Sequence, residues 1–311
     1  MKVEMVTRVG HIALRVPDLD AAVSFQCEVL GLVETERAAG AAYLTCNERH
    51  HELILVEDAG NRGYDHVGLE VADAAALETA KRTVAAAGGE ALGDVYDGEP
   101  GIDRALLVKG PGGHVFKLFC GMETGASPEP GDRPRKFEHV SLKANRPRAL
   151  ERFLAHGLGF KFSDRMGMLA SWWHCDADHH GMAIVFAPKP ELSHYAYTVA
   201  DLNAMGRVAD RLKALRGRKL IWGPSRHGPG NNQFMYFNDN DGAMIELCAD
   251  LAAMPPTGDY RARKWPLDPG TINQWGGPPP PRFLLAGYPI APRGQGRQDW
   301  AGNASGQDAG R

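Results

Sequence analysis

Ser193-His194-Tyr195-Ala196-Tyr197-Thr198-Val199 and Met235-Tyr236-Phe237-Asn238-Asp239-Asn240-Asp241-Gly242-Ala243-Met244-Ile245-Glu246-Leu247 bracket the stretch that decides how this chain is read. Each end reads as a strand rich in β-branched and aromatic residues. Each sets one metal-binding side chain, His194 or Glu246, among apolar neighbours, where a carboxylate is costly unless something positive meets it. Lys136-Phe137-Glu138-His139-Val140-Ser141-Leu142, upstream, has the same form. Two histidines and one carboxylate on neighbouring strands form the ligand set of a non-haem Fe(II) that keeps open positions. A lone strand histidine is ordinarily a core residue that hydrogen-bonds. Three such donors in matched settings argue for a shared ion.

The same landmarks recur 128 residues earlier. His11 in Val9-Gly10-His11-Ile12-Ala13-Leu14 parallels His139, Phe25 parallels Phe153, and Leu30-Gly31-Leu32 parallels Leu158-Gly159-Phe160. Asp65-His66-Val67-Gly68-Leu69 parallels Ser193-His194-Tyr195-Ala196-Tyr197, while His50-His51 and His179-His180 stand 129 apart. Such coincidences at one offset mean duplication. Within each half a strand, a helix and further strands follow one another twice. Asp18, Asp73 and Asp201 read as helix N-caps, with Gly31, Gly88-Gly89 and Gly217 as stops. The expected fold is α+β: two tandem domains, each of two βαβββ modules curled into a half-open barrel. The expected boundaries are 1–124, a Pro/Gly linker over 125–135, a catalytic domain over 136–250 and a Pro/Gly-rich extension over 251–311. The aromatics Tyr260, Trp265 and Trp275 imply that the extension packs on a domain or on a neighbouring copy in a homo-oligomer. Disorder is expected from Gly294 onward, with Trp300 as the exception.

The repeat also supplies a control. The first-half equivalents of His139, His194 and Glu246 are His11, His66 and Lys117. A protonated lysine has no lone pair for a metal, so the first barrel is expected to have lost its metal site.

Composition narrows the class. The 311 residues carry 35 basic and 38 acidic side chains, a net charge of −3, without a basic run. That balance argues against nucleic acid or an anionic membrane as partner. No apolar stretch approaches the roughly 20 residues of a membrane span, and Met1-Lys2-Val3-Glu4-Met5 lacks a signal-peptide core. The five cysteines are scattered and never form a Cys-x-x-Cys pair, the usage of a cytoplasmic protein with reduced thiols. Cys248 reads as a small core residue.

His139, His194 and Glu246 in a duplicated βαβββ chain resemble the iron triad of the type I extradiol ring-cleavage dioxygenases, in the vicinal oxygen chelate (glyoxalase/bleomycin-resistance/dioxygenase) superfamily. The resemblance covers about residues 6–250. Its most specific segment is Arg226-His227-Gly228, then Phe234-Met235-Tyr236-Phe237, Asp239, Gly242 and Glu246, with Asn240 in place of the family's turn proline. Ala177-Asp178-His179-His180-Gly181-Met182-Ala183 resembles the segment that holds the family's acid–base histidine. On that match His180 is the acid–base residue and His179 its neighbour, and only one of the two can face the cup. The resemblance further implies Fe(II) as cofactor, with Mn(II) possible, a catechol-like aromatic and O2 as reactants, and a place in aromatic hydrocarbon catabolism. Tyr236 lies ten residues before Glu246, an even count that would turn both to one face of a single strand. Tyr236 and His227 are candidates to hydrogen-bond substrate or oxygen. Trp172, Trp173 and Phe186 are candidate walls for a planar ring.

Two other functions stay open from sequence. A glyoxalase-like lyase or isomerase would use Zn or Ni with four protein ligands, often two glutamates. A binding protein of the bleomycin-resistance kind would lack the triad and consume no O2.

Overall fold

One strand-helix-strand-strand-strand unit is repeated four times along the chain, and the computed structural model describes residues 5–38, 40–129, 131–255 and 259–292. The first unit is β1 (Val6–Val16), α1 (Leu19–Phe25), β2 (Val33–Ala38), β3 (Ala41–Thr45) and β4 (Leu53–Glu57). The second is β5 (Gly63–Val71), α2 (Ala74–Ala86), a short β6 (Glu90–Ala91), β7 (Tyr96–Glu99), β8 (Ile102–Lys109) and β9 (Val115–Met122). The third is β10 (Lys136–Ala144), α3 (Pro147–Arg152), β11 (Lys161–Met166), β12 (Ala170–His174) and β13 (Met182–Phe186). The fourth is β14 (Glu191–Thr198), α4 (Leu202–Arg216), β15 (Trp222–Arg226), β16 (Gln233–Asn238) and β17 (Met244–Ala249). The extension adds β18 (Lys264–Trp265), α5 (Pro269–Ile272), α6 (Pro281–Leu285) and β19 (Tyr288–Pro289).

Units pair into two sheets, one per half. The first runs β2-β3-β4-β1-β5-β9-β8-β6, with β7 on β8; the second runs β15-β16-β17-β14-β10-β13-β12-β11-β18, with β19 on β14. In both, the leading strands of the two units meet antiparallel at the middle, β1 with β5 and β10 with β14. The α+β reading with tandem barrels is borne out. Strands β10, β14 and β17 are buried along almost their whole length rather than in alternation, because one face lines the cup and the other is covered.

The helices begin where the caps place them. Asp18, Asp73 and Asp201 accept hydrogen bonds from the backbone N–H of Ala21, Ala76 and Ala204. Gly31 ends the first helical segment at φ 76°, a left-handed position that a side chain would disfavour. Both α1 and α3 pass into π-helical turns, Gln26–Leu30 and Phe153–Gly157, at repeat-equivalent places. The helix expected between Asp18 and Gly31 thus ends in a wider turn. The expected linker carries no helix or strand among its described residues.

The halves interlock through these turns. The ring of Phe153 is fully buried against Phe116 of the first half, centroids 5.6 Å apart. Gly89 and Gly110 make room for it: a Cβ added there would come within 2.4 and 3.0 Å of the ring. Conversely, Arg211 Nε donates to the Val29 carbonyl at 2.9 Å. The extension folds back on its own chain. Tyr288 pairs with Leu192, its hydroxyl donates to the Arg15 carbonyl at 3.2 Å, and Ala291 N–H donates to the Tyr64 carbonyl at 2.9 Å. The segment from Gly294, Trp300 included, lies outside the described residues. Removal of the Phe153 ring leaves a cavity between the halves. Phe153→Ala is expected to cost about 3–5 kcal/mol, read as a lowered urea midpoint at unchanged slope.

Candidate metal centre and active site

Cross-strand register builds the site. Trp222 stands opposite Tyr236, Tyr236 opposite Glu246, Glu246 opposite Ala196, and Ala196 opposite His139. These five form one row across β15, β16, β17, β14 and β10. His194 belongs to the next row, opposite Ser141. Tyr236 and Glu246 do share a face, but not because a single strand carries both. They sit on adjacent antiparallel strands joined by the turn through Asp239, where Asp239 Oδ1 accepts from Asp241 and Ala243 N–H.

His139 Nε2, His194 Nε2 and Glu246 Oε2 form a nearly equilateral triangle, with separations of 3.3, 3.1 and 3.0 Å. All three side chains are buried. Adjacent ligands of an octahedral first-row ion with bonds of about 2.1 Å stand roughly 3 Å apart. The donor set therefore fits an ion held on one face, with other positions open. Among the described residues no fourth His, Cys, Asp or Glu joins this group at the same reach. Glu246 Oε1 accepts from Asn232 Nδ2 at 3.2 Å and lies 3.6 Å from His227 Nε2. Burial opposes the charge on Glu246, but His139, His194 and His227 outweigh it and hold its carboxyl well below the usual range. Burial likewise works against a charged His139, yet Glu246 and Glu138 push it up to about 9. Glu138, itself fully buried, lies 3.7 Å behind His139 Nδ1.

A cavity of about 140 Å³ opens over this triangle. Its polar floor is His139, Ser141, His180, His194, His227, Tyr236 and Glu246. Its walls are apolar: Met166, Leu169, Trp172 and Val185 on one side, Trp222, Ile272, Phe283 and Leu284 on the other. Among the described residues no lysine or arginine lines it. Ile272, Phe283 and Leu284 belong to the extension, which thus supplies one wall.

Of the paired histidines, His180 faces the cavity, its ring 4.5 Å from that of His139. His179 points the other way, toward Asp164 and Tyr260. His227 is held by packing and by hydrogen bonds. Its ring stacks on Phe234 at 3.9 Å, its Nδ1 donates to the Ile272 carbonyl at 2.6 Å, and its Nε2 lies 3.0 Å from the Tyr236 hydroxyl. Burial, then Glu246, push the Tyr236 hydroxyl well above the usual range. Trp172 is a wall as expected, but Trp173 and Phe186 are not. Trp173 packs into the core against Phe162, and Phe186 is exposed at the end of β13. Alternation along β12 turns neighbouring tryptophans to opposite faces. Sequence reading passed over Asn232, Trp222 and the extension's apolar residues, because only long-range register and packing bring them to the site. Cys248 is a buried core residue as read, although it stands close to Glu138 and His139.

The first half repeats the floor and changes its chemistry. His11 Nε2 and His66 Nε2 are 3.3 Å apart, and Lys117 stands opposite Gly68 where Glu246 stands opposite Ala196. The Lys117 ammonium pairs with Glu99 at 2.7 Å, both groups almost wholly buried.

The profile of the Glyoxalase/Bleomycin resistance protein/Dioxygenase superfamily matches residues 8–118 and 136–247. The chain belongs to this superfamily. Within it, the chain is 27% identical over 268 residues to a manganese-dependent 2,3-dihydroxybiphenyl 1,2-dioxygenase from Geobacillus genomosp. 3, covering 78% of this chain and 84% of the relative. It is also 27% identical over 305 residues to metapyrocatechase 2 from Cupriavidus necator, covering 89% and 91%. Among solved members, a Mn(II)-bound glyoxalase from Novosphingobium aromaticivorans superimposes with a TM-score of 0.84 at 28% identity, over 92% of this chain and 96% of that one. The resemblance read from the sequence is thus borne out in the superfamily and in its dioxygenase relatives.

The Lys117–Glu99 pair is the testable counterpart of the triad. Lys117→Met leaves a buried carboxylate without its ammonium and is expected to cost about 3–5 kcal/mol, measured by denaturant unfolding; an unchanged midpoint would show that the pair does not hold the first barrel together.

Proposed function

We propose that this chain catalyses extradiol (meta) cleavage of a catechol-type ring by O2 at Fe(II), with Mn(II) as the alternative ion, held by His139, His194 and Glu246. The observation that carries this reading is the triangle of donors under a ring-sized cavity. The ion supplies a Lewis acid with open positions, which lowers the pKa of a hydroxyl brought to it. His139 and His194 as neutral imidazoles, with one carboxylate from Glu246, would leave a bound divalent ion net positive, which would favour an anionic substrate oxygen.

The chain's own residues divide the remaining work. His180 takes the proton of a substrate hydroxyl and later returns it. Tyr236 and His227, hydrogen-bonded to one another beside Glu246, offer polar contacts to the substrate oxygens. Trp172, Trp222, Ile272, Phe283 and Leu284 hold the ring and exclude water. Both atoms of O2 enter the ring-opened product, so no reductant is needed.

Cavity size and lining narrow the substrate. About 140 Å³ is close to the roughly 150 Å³ that accommodates one benzene ring. With no lysine or arginine in the lining among the described residues, a carboxylate on the ring would be buried without a partner. We therefore propose a monocyclic catechol with small uncharged substituents. The same chemistry places the chain in aromatic catabolism, after a step that forms the vicinal diol. A lyase of the glyoxalase kind is the second reading, favoured by the similarity to the Mn(II)-bound glyoxalase and opposed by the absence, among the described residues, of a second carboxylate in the donor group.

The protein, reconstituted anaerobically with Fe(II) or Mn(II), should take up one O2 per catechol opened. His194→Ala and Glu246→Ala should each lose the bound metal, by elemental analysis, together with O2 uptake. Full metal occupancy in either variant would overturn the ligand assignment. Absence of uptake with every catechol, alongside isomerisation of a hemithioacetal, would favour the lyase. Methylcatechols should exceed 3,4-dihydroxyphenylacetate in kcat/KM by roughly 100-fold, the scale set by burying an unpaired carboxylate. Equal values would sink the uncharged-substrate reading.

A further inference from the structure

Behind His180, away from the cavity, a chain of polar groups runs back to one carboxylate. His180 Nδ1 lies 3.0 Å from His179 Nδ1. On the far side of that ring, His179 Nε2 lies 3.1 Å from the Tyr260 hydroxyl and 3.2 Å from Asp164 Oδ2. Asp164 Oδ1 accepts from the Tyr260 hydroxyl at 2.8 Å and from Arg263 N–H at 2.7 Å, while Oδ2 accepts from Trp265 Nε1–H at 2.7 Å. Asp164, His179 and His180 are all buried. Burial opposes the charge on Asp164, but hydrogen bonds from His179, Trp265, Arg263 and Tyr260 hold its carboxyl below the usual range.

This anchor can only accept, and that sets the direction of every proton in the chain. The single proton of Tyr260 points at Asp164, so toward His179 the phenolic oxygen can only accept. A bare Nε2 on His179 would set its lone pair against both oxygens; Nε2 therefore carries the proton. With one proton per ring, His179 Nδ1 is bare and accepts from His180 Nδ1–H. The other nitrogen of His180, Nε2, is left bare on the cavity side.

The arrangement is built twice. Glu36 precedes Asp164 by 128 residues, the offset of the duplication. Its Oε2 lies 3.2 Å from His50 Nε2, and His50 Nδ1 lies 2.9 Å from His51 Nδ1. A carboxylate-histidine-histidine chain is thus part of the repeated unit. Among the described residues the extension seals the second copy alone, through Tyr260 and Trp265, while the side chain of Glu36 is 40% exposed.

We propose that Asp164 and His179 are positioning residues that fix the tautomer of His180, so that its Nε2 offers a lone pair to the cavity. The role rests on His180 being the acid–base residue of the proposed function. One proton moves from a substrate hydroxyl to His180 Nε2, and the Nδ1 proton of His180 can pass to His179 Nδ1. The positive charge then lies beside Asp164, and no other reactant is needed.

The test uses the full chain labelled with ¹⁵N-histidine. In the metal-free protein, long-range ¹H–¹⁵N spectra should show His180 protonated at Nδ1, and Asp164→Asn should move that proton to Nε2. In the metal-loaded protein, Asp164→Asn and His179→Ala should each lower kcat by roughly 100-fold, the lower end of what a positioned proton-transfer group contributes. Metal content should hold and KM should change by no more than about threefold, the pattern of a loss confined to the transition state. Asp164→Glu should recover most of the rate, and Glu36→Gln, the first-half control, should leave it unchanged. His180 protonated at Nε2 in the wild-type protein overturns the proposal. So does full kcat at full metal occupancy in His179→Ala, which decides the matter if Asp164→Asn does not fold. Should the wild-type protein open no catechol, the proposed function fails, and the tautomer measurement still decides this inference.

Discussion

A carboxylate buried in an apolar cup is the constraint around which the second half is arranged. Glu246 is almost wholly enclosed and sits mid-strand in a sheet whose neighbouring positions are hydrophobic. Left alone, such a group would neutralise rather than remain charged. Two imidazoles within 3.1 Å, an asparagine on its other oxygen and a third histidine at 3.6 Å keep it ionised. Those contacts come from three segments of the chain: β10, β14 and the loop between β15 and β16. A sheet of fixed register is needed to bring them to one point.

Among the described residues the first half shows no donor group of this kind, and it meets buried charge in another way. Its two histidines keep the 3.3 Å separation found in the second half. At the third position the duplicated unit carries Lys117, whose ammonium pairs with Glu99 from β7. A cation supplied by the chain thus stands where the other barrel carries a buried carboxylate beside its two histidines. Burying charge in pairs balances desolvation in both halves, with opposite consequences for chemistry.

The extension breaks the symmetry further. It closes the second cup with Ile272, Phe283 and Leu284, and it clamps Asp164 behind the paired histidines through Tyr260, Arg263 and Trp265. It also crosses to the first half, at Arg15 and Tyr64. One segment therefore shapes the cavity wall, covers the polar chain behind His180 and ties the halves together. Among the described residues, the cup it walls is the one with Glu246 rather than lysine at the third position.

Much of this was legible in the chain itself. The 128-residue offset, the aspartate caps and the glycine stops depend on local chemistry and on self-similarity, both written in order along the sequence. The three donors stood out because charged or metal-binding residues in apolar strands need a partner. What remained hidden depended on register and long-range packing. Tyr236 and Glu246 share a face as cross-strand neighbours, not by parity along one strand. His227 is held by Phe234 and Ile272, the latter 45 residues away. Trp173 and Phe186 turned away from the cavity, while Asn232, Asp164 and the extension's residues turned toward the site or its supports. By itself the sequence determined the repeat, the modules and the donor types, since each follows from residue identity and spacing. Only the tertiary structure decided which side chains converge, because a β-sheet joins residues through pairings that no local pattern specifies.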